Sequence, residues 1–138
     1  MLAAMIPIGT ALQTTGVSGL IASSISEYAS GLGLFWVLLI ILIVTMITTD
    51  IINNAATAVI MAPISTGIAL ELGYAIEPFL MVVAVGASCA FLTPIGHQCN
   101  TVVMGPGNYK FTDYWRMGLP MDILIILATI PMILFVWT

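Results

Sequence analysis

The sequence predicts an all-α membrane protein, a polytopic helical bundle, and three observations carry the prediction. Hydrophobic residues make up 61% of the chain and charged residues 6%, with a mean hydropathy of +1.19, outside the range of soluble globular domains. The apolar residues gather in segments with enough length to cross or enter about 30 Å of hydrocarbon. Two of these segments are interrupted by polar clusters, at Thr48 to Thr57 and at Leu92 to Asn100. Unpaired backbone is not tolerated against lipid, so an interruption at that depth must be buried in protein or line a wet cavity. Lys110 and Arg116 are the only basic side chains, and the net charge is −4; no electropositive face exists for nucleic acid. Residues 1–138 read as a single transmembrane domain.

In order along the chain, residues 2–12 are apolar but carry Pro7 and Gly9, and their length covers about half a bilayer. They read as the tail of a truncated span. Val17 to Tyr28 mixes apolar residues with Ser18, Ser23, Ser24, Ser26 and Glu27, the pattern of an interfacial or bundle-facing helix. Residues 32–73 form a helical hairpin with its tip at 48–57. Its first arm, Gly33 to Met46, is apolar on all sides and starts with the anchors Phe35 and Trp36. Its return arm, Ala55 to Leu72, opens on the small residues Ala55, Ala56 and Ala58, contains Pro63 and ends at Glu71 and Gly73. Residues 76–106 form a discontinuous helix broken at 93–100, with a first half from Pro78 to Leu92 and a second from Asn100 to Met104. Residues 118–138 form the final span, with Trp137 as its end anchor. Few spans, each polar interruption occurring once and no basic residue ahead of Met1 suggest a fragment without a cleaved leader.

The two interruptions carry the chemistry. Asn54 is placed to cap the return arm and Asn100 the second half-helix, so both N-termini would present free N–H groups suited to an anion. The arm ending near Ile52 and the half-helix ending near Thr93 present carbonyls suited to a small cation such as Na⁺. Ordinary loop capping explains Asn53, Asn54 or Asn100 taken singly, but two breaks in one short chain favour a site. His97 beside the break is either a satisfied buried imidazole or a group that donates to an anion or takes up a proton. Asp50 at the tip is a functional candidate as an intramembrane carboxylate, or a plain one if water reaches it. Thr93 closes the half-helix, donates to a ligand, or is merely held extended by Pro94. Cys89 and Cys99 are too few for a disulfide framework and read as small hydrophobes.

At these residues the sequence resembles the divalent anion/sodium symporter family. Members of that family carry a Ser-Asn-Thr signature at a hairpin tip and a Thr-Pro-x-Gly-Thr-Pro-x-Asn-like break in the next helix. Here they read Asn53-Asn54-Ala55 and Thr93-Pro94-Ile95-Gly96-His97-Gln98-Cys99-Asn100. The resemblance implies the second half of an inverted-repeat secondary transporter. It implies substrate contacts at Asn53, Asn54, Ala55, Thr93, Pro94, His97 and Asn100, and Na⁺ near Thr49, the Ile52 carbonyl, Asn54 and the Gly96 carbonyl. Ala55 stands in place of the signature Thr, Asn53 in place of Ser, and His97-Gln98 in place of a Thr-Pro pair. Two hydroxyl donors are thus exchanged for an amide and an imidazole, which leaves a dicarboxylate, sulfate or a similar oxyanion open.

The function expected is sodium-coupled symport of a small divalent anion in the cell (inner) membrane, with no enzyme chemistry and no cofactor beyond Na⁺ as coupling ion. The partners expected are the anion, Na⁺, lipid, the missing N-terminal repeat of the same permease and a second copy in a homodimer. A proton-coupled permease is the alternative. An intramembrane hydrolase is weaker, because one His and no nucleophile motif are present, and a structural subunit without a ligand is a third class, in which polar substitution at the breaks would be harmless. Lys110 and Arg116 lie in the stretch from Asn108 to Met117, whereas Glu27, Glu71 and Glu77 fall in the opposite loops, so that stretch is expected to face the cytoplasm. A cysteine introduced at Asn108 should resist an impermeant thiol reagent in intact cells, and labelling from outside would reverse the orientation.

Overall fold

The computed structural model describes residues 33–137 and, before them, Pro7, Ala11, 14–16, Gly19, Leu20, Ser23, Ser24 and Gly31. The truncated span expected over 2–12 and the interfacial helix expected over 17–28 lie, apart from those positions, outside the described residues. From Gly33 onward the elements are α1 Leu34–Ile51, α2 Asn54–Leu72, α3 Ile76–Ser88, α4 Gln98–Met104 and α5 Phe111–Trp137. Helices α1, α2 and α5 are each long and apolar enough to cross a membrane. The chain is an all-α, multi-pass membrane domain in which α2 follows α1 after two residues and α3 and α4 are separated by residues 89–97.

Hydrophobicity around α1 is nearly uniform, so its sequence does not say which side faces protein. The structure selects one stripe: Val37, Leu38, Ile41, Leu42, Thr45, Met46 and Thr49 are buried, while Trp36, Ile40, Ile43, Val44 and Ile47 are exposed. These buried positions recur at helical spacing. Thr45 is tolerated among them because its hydroxyl donates to Ile41 O at 2.6 Å. Helix α3 repeats the pattern, burying Pro78, Phe79, Val82, Val83, Gly86 and Ala87. It packs against α1, α2 and α5 and is therefore the centre of the bundle. Close approach to α1 depends on Gly86, where an added Cβ would lie 3.0 Å from Thr45 Cβ and 3.2 Å from Leu42 Cδ1. The hairpin returns to α3 through Gly73, whose φ of 72° is left-handed, while Tyr74 N–H closes onto Ala69 O at 2.9 Å.

Several element ends differ from the sequence expectation; α1 runs on to Ile51, α2 begins at Asn54 and α3 at Ile76. Helix α3 stops at Ser88 and not at Leu92. The Leu92 N–H, which a continuing helix would use internally, donates to Asp50 Oδ1 at 3.1 Å. Helix α4 begins at Gln98, ahead of the expected Asn100. Helix α5 begins at Phe111, well before the expected 118. Asp113 starts it by accepting from Lys110 N–H at 2.8 Å, one half of a capping box. The basic stretch is thus largely helical.

Replacing Gly86 with Val should push α1 away from α3 and cost about 1–3 kcal/mol through overpacking. Thermal unfolding of the purified protein in detergent reads this as a lower midpoint, and an unchanged midpoint would deny the close approach.

Candidate functional site

At the hairpin tip the chain reverses through Ile52 and Asn53. Ile52 N–H still donates to Thr48 O at 3.0 Å, closing α1. Asn53 is extended, with φ −179° and ψ 165°, and its Oδ1 accepts from Ala56 N–H at 2.9 Å. Asn53, and not the expected Asn54, is therefore the cap of α2, because only the extended residue ahead of the helix can reach the third amide. Asn54 is freed for another task. Its Oδ1 accepts from the Thr49 hydroxyl at 3.0 Å, joining the two arms across the tip. The same hydroxyl lies 2.9 Å from Ala87 O, in the last turn of α3.

The break meets the tip along a series of hydrogen bonds. Asp50 receives Leu92 N–H on Oδ1 and the Thr93 hydroxyl on its backbone oxygen at 2.6 Å. Thr93 Oγ1 in turn accepts from Gly96 N–H at 3.2 Å. Gly96 is buried, and a Cβ on it would fall 2.9 Å from Thr49 O and 3.0 Å from Asp50 Cα, so only glycine allows this contact. Asn100 is not a cap either. Its amide donates to Ala90 O at 2.9 Å and lies 3.4 Å from Thr93 O, which ties the second half-helix to the residues just before the break. The cap of α4 is His97, whose Nδ1 accepts from Cys99 N–H at 3.2 Å; this bond requires the ring proton on Nε2. Pro94 is buried, with its carbonyl accepting from the Thr101 hydroxyl at 2.5 Å. Tyr114 of α5 donates to Asn100 O at 2.8 Å and holds α4 in place.

Of the expected site residues, the structure joins Thr49 to Asn54 by a hydrogen bond and sets Gly96 against Thr49. Asn53, Asn54, Thr93 and Asn100 are half-buried at the tip and break, while Ile52, Ala55 and His97 are exposed. Thr93 spends its only proton on Asp50 O, so its hydroxyl fastens the break to the tip. Sequence reasoning passed over Asp122 in α5 and Thr57 in α2, which are both buried. Asp122 had a readable signal, a carboxylate within an apolar span. Thr57 had none, since one hydroxyl in a membrane helix is commonplace.

Chemically, the tip gathers the hydroxyl of Thr49, the amide oxygen of Asn54 and the C-terminal carbonyls of α1, all hard oxygen donors. The N–H groups of Asn54 and Ala55 open α2 and have no partner within the helix. Hard oxygen donors and free helix N–H groups thus both lie at the tip.

Comparisons with known proteins bear on this geometry. The family model described as the sodium:sulfate symporter transmembrane region matches residues 1–138. An uncharacterized transporter of Synechocystis is 38% identical over 137 residues, 99% of this chain and 22% of its own length. An uncharacterized transporter of Escherichia coli is 38% identical, over 96% of this chain and 22% of its own length. A sodium/sulfate cotransporter of Chlamydomonas reinhardtii is 29% identical, over 92% of this chain and 14% of its own length. The chain therefore spans about a fifth of the first two relatives, 22%.

Thr93→Val keeps the side-chain shape but strands Asp50 O and Gly96 N–H, so it should cost about 1–3 kcal/mol. Thr93→Ser should restore most of the loss. Equal unfolding midpoints for wild type and Thr93→Val would show that the hydroxyl does not hold tip and break together.

Proposed function

Because this chain belongs to the sodium:sulfate symporter family, we propose that it forms part of a secondary transporter that carries a small divalent oxyanion together with Na⁺ across the cell membrane. The observation that carries this reading is the junction of tip and break, where Thr49, Asn54 and Gly96 converge. Na⁺ takes the oxygens of Thr49 and Asn54 with the carbonyls of Ile52 and Gly96, a hard-donor set that matches a hard cation. The anion takes the N–H groups that open α2, at Asn54 and Ala55, with the amides of Asn53 and Asn54 and the imidazole of His97. Pro94 shapes the break, and Thr93 and Asn100 hold it closed on the tip.

No Lys or Arg enters this site, since Lys110 and Arg116 are both exposed near the start of α5. A bare dianion at low dielectric is prohibitively costly. One helix N-terminus offsets only about half a charge. Na⁺ supplies the remainder and orders the tip, so ion and anion each raise the affinity for the other by the same factor. Sulfate is the substrate that the names of the Chlamydomonas relatives suggest.

The test is uptake and binding by the complete protein in proteoliposomes, in Na⁺ and in choline. Anion affinity should be higher in Na⁺ by about five- to 150-fold, and equal affinity in both media would refute sodium coupling. Asn54→Ala should weaken Na⁺ and anion together by about tenfold to a hundredfold. Asn53→Ser, which keeps an acceptor to cap α2, should change the anion affinity alone. Equal, negligible effects of both would reduce these residues to architecture.

A further inference from the structure

Two carboxylates are buried among the described residues, Asp50 at 4% and Asp122 at 8% relative exposure. Each keeps one oxygen, Oδ2 of Asp50 and Oδ1 of Asp122, sealed from solvent without a hydrogen-bond partner. The helices that carry them, α1 and α5, pack against each other. Backbone contacts explain the convergence. A Cβ on Gly118 would stand 2.5 Å from Phe91 O, so α5 rests on the chain just past the end of α3. Asp122 follows Gly118 by four positions and therefore lies on the same face of α5. Asp50 reaches the same place from α1, bonded to Leu92 N–H. Lys110, Arg116 and His97, the basic groups of the chain, are all exposed, which leaves these acids without a cationic partner among the described residues.

Two uncompensated carboxylates in an apolar interior are far more costly than the packing around them can offset. A hard monovalent cation held by both orphan oxygens removes most of that cost. We propose that Asp50 and Asp122 bind a Na⁺ ion of their own, at the junction of α1, α5 and the start of the break, separate from the ion at Thr49, Ile52, Asn54 and Gly96. The site rests on the sodium-coupled reading above and deepens it. An ion there clamps the final helix to the hairpin, so that cation occupancy is felt on both sides of the broken helix.

The experiment is equilibrium binding of radioactive Na⁺ to the purified complete protein without anion, repeated for Asp122→Asn, Asp50→Asn and Asp122→Glu. Asp122→Asn and Asp50→Asn should each remove one bound Na⁺ per protein and lower the Hill coefficient for Na⁺-driven uptake. Asp122→Glu should retain the ion with weaker affinity, by about tenfold or more. Sodium should also raise the unfolding temperature less in both Asn variants than in wild type, a readout that does not depend on transport. Wild-type Na⁺ counts in Asp122→Asn would overturn the site while leaving sodium coupling intact. Unchanged Na⁺ counts with an altered pH profile of uptake would assign the pair to a shared proton and overturn it as well. Absence of Na⁺ binding by wild type would instead bring down the coupling reading itself.

Discussion

Every element of this domain answers to one constraint: backbone groups released by a helix break inside the bilayer need partners, and lipid offers none. Here the two breaks satisfy each other. Asp50 is the pivot, with its carboxylate taking the Leu92 N–H and its backbone oxygen taking the Thr93 hydroxyl. Thr49 adds the Ala87 carbonyl, and Asn100 returns from the far half-helix to Ala90. The tip and the break are thus one hydrogen-bonded polar unit.

Composition and segment length made the membrane class legible, because they reflect partition into hydrocarbon and need no tertiary detail. The helix ends around the tip and the gap between α3 and α4 were legible for a related reason, as polar residues, Pro94 and Gly96 mark where a helix cannot continue. Ends were less legible. Helix α3 stops at Ser88 because Leu92 N–H is drawn to a residue on another helix, a competition that no local pattern announces. Asn53 and Asn54 are adjacent and chemically alike, and only the backbone geometry decides that the first caps α2 while the second bridges to Thr49. His97 as a cap was hidden by the commoner readings of a membrane histidine. The buried face of α1 was beyond reach for a simpler reason: a helix apolar on all sides carries no moment to orient it.

Charge shapes the site as strongly as hydrogen bonding does. The chain puts its two basic residues on the surface and two acids in the interior, the reverse of what holding an anion by direct ion pairing requires. On the proposed sodium-coupled reading, the anion is then recognised through amide dipoles and through cations that move with it. Ion occupancy, on that reading, becomes a condition of anion binding.

Three glycines indicate how such coupling could reach beyond the site. Gly86 admits α1 to α3, Gly96 admits the tip to the break, and Gly118 admits α5 to the backbone at Phe91. Each contact brings a backbone to within van der Waals distance of a neighbouring element, where packing is stiff and small displacements are transmitted instead of absorbed. The broken helix is held from the hairpin side and from the final-helix side. Any rearrangement of the break must therefore carry Thr49 and Asp50 with it. An ion that ties Asp122 to Asp50 would add the final helix to that moving unit, and its departure would release one side of the grip while Gly96 still held the other.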